Sequence, residues 1–410
     1  MTTQPPLTDA LDTLLRFGAL MLRSGESAFR VRDQMHLLAP KLGIPAFDML
    51  VTVTTLTATA RVGVPVTLVR HVGPLGINAW RIGALERLAH ELPASTEASE
   101  LNTRLDAIEA TEPIHAGAVV ALAVGLASGA FAWLNGGNLA AILAAFAAGA
   151  LGQALRLQLL QRHLNQYAVT ALCGIVAGGL YAAAAAFLAR AGLAPGPGIG
   201  VIAAGLFLIP GFPLVAALLD LLQHQMPAAL SRLAYGVTLT LAAAFGLGVV
   251  VAVMGFTPSA APASSDAWRF LQRAVVTFAG GCGFAVLYNS PWRTVLAVGV
   301  LAAAGNELRL GLQDAGLTQP EATLLGVLLV GLLASPAQTH LREPRITFTV
   351  PAIVIMVPGA TIFQSIVLFG RGDALGGLQA AVTASFAIGA MALGLALARF
   401  ATERKWLFES

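Results

Sequence analysis

Two proline–glycine pairs interrupt apolar stretches of this chain, at Pro210-Gly211 in LIPGFP and at Pro358-Gly359 in VPGATIFQ. Proline removes a backbone donor and crowds the preceding helical turn, so each pair predicts a break in a helix. Inside a membrane, the backbone groups freed by a break are tolerated only where protein or a water-filled cavity satisfies them. Paired breaks at corresponding positions of two halves are the best sequence indication of a transporter's binding site.

Polar residues accompany both breaks. The ends of broken helices carry partial charges that can face a carboxylate, an ammonium group or a proton carrier, which suits a zwitterionic or anionic metabolite. Asp220 and Glu307 are candidates for proton coupling, since ionisable groups in or near a span are functional candidates by default. The candidate substrate-binding residues are those of the breaks and their polar neighbours: Pro210, Gly211, Pro213, Pro358, Gly359, Thr361, Gln364, Gln153, Arg156, Asn306 and Arg309.

A plainer role is open for several of these residues. Arg156, Arg309 and Asp220 could be interfacial anchors whose side chains reach water, and Gln153 and Gln364 could simply bridge helices.

The composition excludes a soluble enzyme or a nucleic-acid-binding protein. The 410 residues are 57% apolar and only 11% charged, whereas a soluble domain carries about 25% charged residues. This composition predicts an all-α polytopic membrane protein, and a net charge of +3 is too small to indicate a nucleic-acid partner. No stretch has the GxxxxGK[ST] pattern that binds ATP, so a gradient or a partner would drive transport. No cofactor or metal is expected. Cys173 and Cys282 lie in apolar runs without CxxC spacing and are interpreted as small apolar side chains.

Residues 1–114 predict a small α+β cytoplasmic domain. LTDALDTLLRFGALML and SAFRVRDQMHLLAPKLG are typical of two amphipathic helices, broken near Ser24-Gly25. MLVTVTTLTATA and VPVTLVRHV, on either side of Arg61-Val62-Gly63, predict a β-hairpin. INAWRIGALERLAHEL and ASELNTRLDAIEA predict two further helices, of which the second leads to the membrane.

From residue 114 onward, apolar runs of about 17–25 residues predict ten membrane-spanning helices. Their centres lie near residues 124, 149, 178, 210, 243, 279, 301, 328, 358 and 387. The polar stretch Thr257–Trp268 divides them into two five-helix domains, residues 115–256 and 268–402.

The two sets of five helices carry similar motifs in the same order. NGGN at Asn135, GQALRL at Gly152 and IPGFP at Pro210 match NSPW at Asn289, GNELRL at Gly305 and VPGATIFQ at Pro358. The offsets are nearly constant: 289−135 = 154, 305−152 = 153 and 358−210 = 148. Because each set has an odd number of crossings, the second copy would insert upside down. This predicts two inverted five-helix repeats, a recurring architecture of secondary transporters.

Basic residues near the helix ends predict that both termini are cytoplasmic. The predicted inside loops hold eight: Arg156, Arg162, Arg232, Arg293, Arg342, Arg345, Arg404 and Lys405. The predicted outside loops hold four: Arg190, Arg269, Arg309 and Arg371.

Taken together, LLRFGALMLRSGESAFRVRDQM, GINAWRIGALERL, IPGFP and VPGATIFQ resemble the threonine/serine exporter family. The resemblance covers nearly the whole chain, and the family's N-terminal motif falls on Ser24, Gly25, Glu26 and Arg30. It implies an inner-membrane exporter of threonine and serine that is driven by the proton gradient. Relatives split into two subunits are associated with dicarboxylate export, so a succinate-type substrate is the alternative.

Two other functions stay open at this point. The segment GESAF, at Gly25–Phe29, lacks the final glycine of the GxSxG motif, yet a membrane-anchored hydrolase using the N-terminal domain is an alternative. A passive channel gated by that domain is another. The expected partners are the small-molecule substrate, the lipid bilayer and protons, and the oligomeric state, including a homo-oligomer, is left open.

Overall fold

The computed structural model describes residues 5–61, 64–193, 199–254, 267–403 and 406. Several predicted features lie outside the described residues, namely Val62 and Gly63 of the hairpin turn, residues 257–266 of the linker, Arg404 and Lys405.

The N-terminal region is an α+β fold, as the sequence predicts. Its elements are α1 (Pro5–Arg23), α2 (Ala28–Leu38), β1 (Phe47–Val51), β2 (Thr55–Ala60), β3 (Val66–His71), α3 (Ala79–Glu91) and α4 (Ala98–Ala110). The two amphipathic helices and the two later helices are confirmed. The predicted hairpin is wrong in one respect, because the strands form a three-stranded antiparallel sheet in the order β1-β2-β3.

The additional strand comes from a turn inside MLVTVTTLTATA. The Thr52 hydroxyl accepts a hydrogen bond from the Thr55 N–H at 3.0 Å and donates to the Thr55 carbonyl at 3.0 Å. Threonine side chains that bond to nearby backbone close turns in this way. The run that was predicted as one strand therefore folds back on itself as β1 and β2.

The core of this region lies between α1, α2 and the sheet. Leu11, Leu14 and Met21 of α1 are fully buried, and Leu56 of β2 lies in the same core. Gly18 permits the close approach of α1, because a Cβ atom at that position would overlap the side chain of Met35 on α2.

Long apolar helices make up the rest of the chain. They are α5 (Gly117–Leu134), α6 (Leu139–Gln161), α7 (Gln166–Arg190), α8 (Ile199–Ala204), α9 (Gly211–Leu222), α10 (Met226–Met254), α11 (Ala267–Leu287), α12 (Trp292–Asp314), α13 (Gln319–Leu341), α14 (Ile346–Val354), α15 (Gly359–Gly370) and α16 (Ala374–Thr402).

Within the described residues, eight of these helices are long and apolar enough to cross a membrane. A ninth span results if α14 and α15, which are bent by 50° at their junction, are counted as one. The prediction of a polytopic helical membrane protein is therefore confirmed, but the described residues give eight or nine candidate spans instead of the predicted ten. The predicted span centred on residue 210 is divided into α8, a short 3₁₀ turn at Leu206–Leu208 and α9.

Polar side chains begin several of these helices. Asn138 caps α6 by accepting from the Ala141 N–H at 3.0 Å, and Asp373 caps α16 by accepting from the Gly376 N–H at 2.9 Å. Thr318 and Glu321 form a capping box at the start of α13. Such caps satisfy backbone donors that have no partner within the helix.

The chain forms two compact units. The first unit combines Met1–Ile114 with two short segments, Ala216–Ala234 and Tyr288–Pro291. The first segment is the junction of α9 and α10, and the second is the turn between α11 and α12. The second unit contains the remaining parts of the apolar helices.

Candidate functional site

The first helix break is centred on Pro210. After the 3₁₀ turn, the Gly211 N–H donates to the Ile209 carbonyl at 2.8 Å, and helix α9 begins with the bond from the Leu214 N–H to the Pro210 carbonyl at 3.2 Å. A hydrogen bond between residues i and i+2 closes a γ-turn, and the negative φ that proline imposes makes this the inverse form. Pro213 lies in the first turn of α9, where its missing N–H costs no helical hydrogen bond.

The second break, centred on Pro358, has the same local structure. The Gly359 N–H donates to the Val357 carbonyl at 2.7 Å, and the Ile362 N–H donates to the Pro358 carbonyl at 2.9 Å. Pro358 has φ −75° and ψ 51°, close to the inverse γ-turn values of about −75° and +65°. Both helices that leave the breaks, α9 and α15, therefore begin with their positive ends at the break.

The two breaks contact each other reciprocally. A Cβ atom on Gly211 would lie 3.1 Å from Cγ2 of Val357, and a Cβ atom on Gly359 would lie 2.6 Å from Cδ1 of Ile209. Each glycine thus lies against the residue that immediately precedes the proline of the other break. A larger residue at either position would crowd the side chain of the other break.

Helices α6 and α12 pack against the segments that precede the two breaks. A Cβ atom on Gly152 of α6 would lie 3.1 Å from Cζ of Phe207, just before the first break. A Cβ atom on Gly305 of α12 would lie 2.8 Å from Cε of Met356, just before the second break. Gln153 and Asn306 directly follow these glycines, and both are buried.

The hydrogen bonding of these two amides differs. Asn306 donates from Nδ2 to the Thr277 hydroxyl at 3.0 Å and accepts from Nε of Arg309 at 2.9 Å. Gln153 is only 2% exposed, and its Oε1 atom has no hydrogen-bond partner among the described residues. A buried acceptor without a partner costs about 1–3 kcal/mol, so Gln153 is suited to bind a donor group of a ligand.

The other predicted residues occupy different environments. Thr361 is half-buried and Gln364 is exposed on α15, while Arg156 is half-buried on α6. The structure therefore brings together Pro210, Gly211, Pro358 and Gly359, with Gln153 and Asn306 on adjacent helices. It does not bury Gln364 with them.

Asp220 lies in the first unit and contacts the N-terminal region. Its Oδ1 atom accepts from the Ala28 N–H at 2.7 Å and the Phe29 N–H at 3.4 Å, so the carboxylate caps the start of α2. Its Oδ2 atom lies 3.3 Å from Nε of Arg232. The surroundings of Asp220 are therefore a helix N-terminus and a guanidinium group, within a fully buried environment.

Glu26 is a buried carboxyl group that the sequence reasoning placed in a motif but did not assign as a site residue. Its Oε1 atom accepts from the Ser27 N–H at 2.8 Å and lies 3.0 Å from the Ser27 hydroxyl. Its Oε2 atom has no partner within the part of the chain that the structure describes. Burial, and then the charge of Glu86, raise the pKa of Glu26 to about 7. The sequence signal that could have identified Glu26 is a carboxylate between Ser24 and Ser27 at the start of a predicted helix.

Glu307 directly follows Asn306 in α12. It lines an apolar groove of about 790 Å³ between α11 and α12, together with Phe270, Phe278 and Leu308. Glu307 is 7% exposed, and its Oε1 atom has no hydrogen-bond partner among the residues described.

The serines of the N-terminal motif are engaged in local hydrogen bonds. The Ser24 hydroxyl donates to the Leu20 carbonyl at 2.7 Å, and the Ser27 hydroxyl bonds to Glu26. Among the described residues, no three His, Cys, Asp or Glu side chains are grouped so that they could hold a metal ion.

Among the described residues, eight or nine apolar spans and two helix breaks that contact each other are typical of a polytopic membrane transporter. Comparison with known proteins identifies the particular kind. A ThrE family model for threonine/serine exporters matches residues 12–254, and a second, "Threonine/Serine exporter, ThrE", matches residues 273–401. The chain belongs to the ThrE threonine/serine exporter family, which is a family of transporters and not of enzymes.

Relatives of full length share low identity with the chain. A "Probable threonine/serine exporter" of Mycobacterium tuberculosis is 26% identical over 95% of this chain and 76% of the relative. The "Threonine/serine exporter" of Corynebacterium glutamicum is 23% identical over 98% of this chain and 84% of the relative. The "Probable succinate transporter subunit YjjP" of Escherichia coli is 31% identical over 33% of this chain and 52% of that protein. No solved structure matches the chain.

Proposed function

We propose that this protein is a secondary-active exporter of small amino acids, threonine or serine, in the bacterial inner membrane. Two observations support the proposal: the two Pro-Gly breaks contact each other, and the buried Oε1 atom of Gln153, on helix α6, has no hydrogen-bond partner among the described residues. The proposed substrate is the one named for the full-length relatives. Both termini are proposed to be cytoplasmic, as the distribution of basic residues predicts.

The chemistry of the breaks fits a zwitterion with a hydroxyl group. The positive ends of α9 and α15 favour a carboxylate, and the carbonyl groups that end the preceding helical segments favour an ammonium group. The Oε1 atom of Gln153 can accept a hydrogen bond from the ammonium or the hydroxyl. Asn306, with Arg309 bonded to it, provides a second polar wall.

Alternating access follows from how closely the breaks approach. The residues on both sides of each break, 206–212 and 354–359, are almost all buried. Even a Cβ atom added to Gly211 would lie only 3.1 Å from the Val357 side chain, so no room is left there for a ligand. A substrate can therefore reach this position only when the broken helices separate. The two breaks would act as hinges, opening to one side of the membrane at a time.

Helix lengths support two inverted five-helix repeats, with α8 and α9 as the fourth, broken span. Helices α6 and α12 both have 23 residues, and α10 and α16 both have 29. Their first residues are separated by 292−139 = 153 and 374−226 = 148 positions. These are the offsets of the sequence motifs.

Protons are the proposed coupling ion. Glu307 is the stronger candidate for the carrier, because its carboxyl group is nearly buried, lacks a hydrogen-bond partner at Oε1 among the described residues, and lies in an otherwise apolar groove. Asp220 is the weaker candidate, because two N–H groups and Arg232 already bind its ionised form.

Exchange in proteoliposomes tests the proposal. Vesicles loaded with unlabelled threonine, serine or succinate would be given the same compound in labelled form, with and without an imposed proton gradient. We expect threonine or serine exchange that becomes uphill under the gradient. Gln153→Leu should raise the KM at least tenfold, whereas Gln158→Leu, an exposed glutamine on the same helix, should not. Exchange of neither amino acid, or an unchanged KM in Gln153→Leu, would refute the proposal or the site.

A succinate-type dicarboxylate is the second candidate. The E. coli relative named as a probable succinate transporter subunit matches part of the chain at 31% identity, and two positive helix ends would also suit two carboxylates. Succinate exchange without threonine or serine exchange would favour this substrate and make Arg309 and Arg156 the next residues to replace.

A further inference from the structure

The N-terminal domain uses the starts of two of its helices to bind two connections of the membrane region. The first N–H groups of a helix have no acceptor within that helix. At α2, the acceptor is the Asp220 carboxylate, which comes from the junction of α9 and α10. At α3, the acceptors are carbonyls of the turn between α11 and α12. The Ala79 N–H donates to Tyr288 at 2.8 Å, and the Trp80 N–H donates to Asn289 at 3.2 Å.

The bonds at α3 are reinforced by the Asn289 side chain. Its Nδ2 atom donates to Oδ1 of Asn78 at 3.0 Å, and its Oδ1 atom accepts from the Ile114 N–H at 2.9 Å. Asn78 also caps α3 by accepting from the Arg81 N–H. Asn289 has φ 57°, a left-handed conformation that asparagine tolerates better than most residues. The Asn289 side chain therefore supplies two hydrogen bonds of the attachment, and its left-handed backbone suits the turn that presents the carbonyl groups.

The bonds at α2 are buried and charged. Asp220 is fully buried and Arg232 is 2% exposed. Arg232 also donates from Nη2 to the Glu26 carbonyl at 2.8 Å. Ala228, between these two residues, lies in the hydrophobic core of the N-terminal domain, and the Ser231 hydroxyl accepts from the Val53 N–H at 3.2 Å. Separating this junction would expose apolar core and would break the bonds of the Ala28 N–H to Asp220 and of Arg232 to the Glu26 carbonyl, which favours an attachment that stays closed.

These two connections belong to different halves of the membrane region. The junction of α9 and α10 follows the first break, and the turn between α11 and α12 belongs to the second set of helices. We propose that the N-terminal domain stays rigid and remains bound to one connection of each half throughout the transport cycle. We call this arrangement the bracket, and Asp220 and Asn289 are its positioning residues. The inference rests on the proposed transport function. Its consequence is that movement during transport occurs in the helices beyond the bracket, at the Pro-Gly breaks.

Disulfide cross-linking of the full-length protein tests whether the attachment stays closed. Asn78→Cys and Asn289→Cys would be combined in a background in which Cys173 and Cys282, the two cysteines of the chain, are replaced by alanine. The side chains of Asn78 and Asn289 are in hydrogen-bond contact, so the pair should oxidise readily. The reduced form lacks the Asn289 hydrogen bonds, so we expect the cross-linked protein to exchange at least as fast as its reduced form. Loss of exchange on oxidation, restored by reductant, would overturn the bracket and indicate a contact that opens in every cycle.

Kinetics separate positioning from a general structural role. Asp220→Asn and Asn289→Ala should lower the maximal exchange rate at least fivefold with little change in the KM, because neither residue lies at the breaks. Asp220→Glu, which keeps the charge, should recover part of the rate. A raised KM with an unchanged maximal rate would place these residues at the substrate and overturn the proposal.

Hydrogen exchange provides a readout that needs no substrate. In the full-length protein, the Ala79 and Trp80 amides should be protected, and Asn289→Ala should remove this protection while leaving the Ala28 amide protected. Fast exchange at Ala79 and Trp80 in the unmodified protein would overturn the bracket, even if threonine transport were established. Absent transport with these amides protected would refute the proposed function instead.

Discussion

The two helix breaks have the same backbone structure but different surroundings. Both contain an inverse γ-turn at a Pro-Gly pair, and each glycine lies against the other break. In the second half, Asn306 has all of its polar groups engaged by Thr277 and Arg309. In the first half, the Oε1 atom of Gln153 has no partner among the described residues. The symmetric backbone suits a hinge, and the asymmetric side chains suit a ligand that binds mainly to one half.

The same contrast holds where the halves attach to the N-terminal domain. The first half is attached through the ionised pair Asp220 and Arg232, next to the titratable Glu26. The second half is attached through Asn289 and backbone carbonyls. The first attachment should therefore respond to pH, and the second should not.

The largest effect should follow from Asn306→Leu. This change keeps the size of the side chain but removes the partners of Thr277 and of the Arg309 guanidinium, and an unsatisfied buried group costs about 1–3 kcal/mol, more when it is charged. We expect a loss of stability of about 4 kcal/mol, seen as reduced folded protein and a lower thermal midpoint in detergent. Thr277→Val removes one hydrogen bond and should cost about 1 kcal/mol. Equal losses in both variants would show that Arg309 does not depend on Asn306.

The next effect concerns the pH dependence of the first attachment. The pKa of Glu26 is raised from its ordinary value near 4.5 to about 7. The folded protein therefore binds this proton more tightly than the unfolded chain does. The contribution to stability is complete below about pH 4.5 and is lost as the pH rises through about 7, and a shift of this size corresponds to about 3 kcal/mol.

Thermal unfolding between pH 5 and pH 8 measures this loss. Unmodified protein should lose stability over that interval, while Glu26→Gln, which mimics the protonated group, should be much less sensitive. Asn289→Ala should keep the pH dependence of the unmodified protein. A flat profile in Asn289→Ala would mean that the titrating group belongs to the second attachment.

A smaller loss of stability should follow from replacing the glycines of α6 and α12 with alanine, and it should differ between the two helices. A Cβ atom at Gly305 would lie 2.9 Å from the Gly326 carbonyl, which is backbone and cannot rotate away, whereas the atoms nearest to a Cβ at Gly152 belong to side chains at 3.1 Å. Overpacking costs about 1–3 kcal/mol, so Gly305→Ala should lose about 2 kcal/mol of stability. Gly152→Ala should lose less than half of that by the same thermal measurement. The reverse order would contradict the tighter packing of the second half.

The helices and the breaks could be predicted from the sequence because their signals are local. Helical periodicity predicted the four helices of the N-terminal domain, and the Pro-Gly pairs predicted both breaks. The Thr52 turn was missed, because β-branched residues on both sides of it are typical of one continuous strand. Hydropathy alone could not show that the segment around residue 210 would be divided into short helices.

The assembly of the site could not be predicted, because it depends on contacts between residues distant in the chain. The bond between Asp220 and Ala28 joins residues that are 192 positions apart. The reciprocal contact of Gly211 and Gly359 depends on how the broken helices cross. Sequence reasoning could name Gln153 and Asn306, but only the folded structure distinguishes the satisfied amide from the unsatisfied one.

The smallest effect on stability should come from Gln153→Leu, and for that reason it is the sharpest test of the comparison. Replacing a buried acceptor that lacks a partner with an apolar group of similar size removes a desolvation cost. We expect a stability change within about 0.5 kcal/mol of zero, in the same variant that raises the KM for substrate. A loss of 2 kcal/mol or more would mean that Gln153 is a structural hydrogen-bonding residue like Asn306, and the two halves would then be equivalent. A stable protein with weakened substrate binding would identify Gln153 as a group retained for its ligand rather than for the fold.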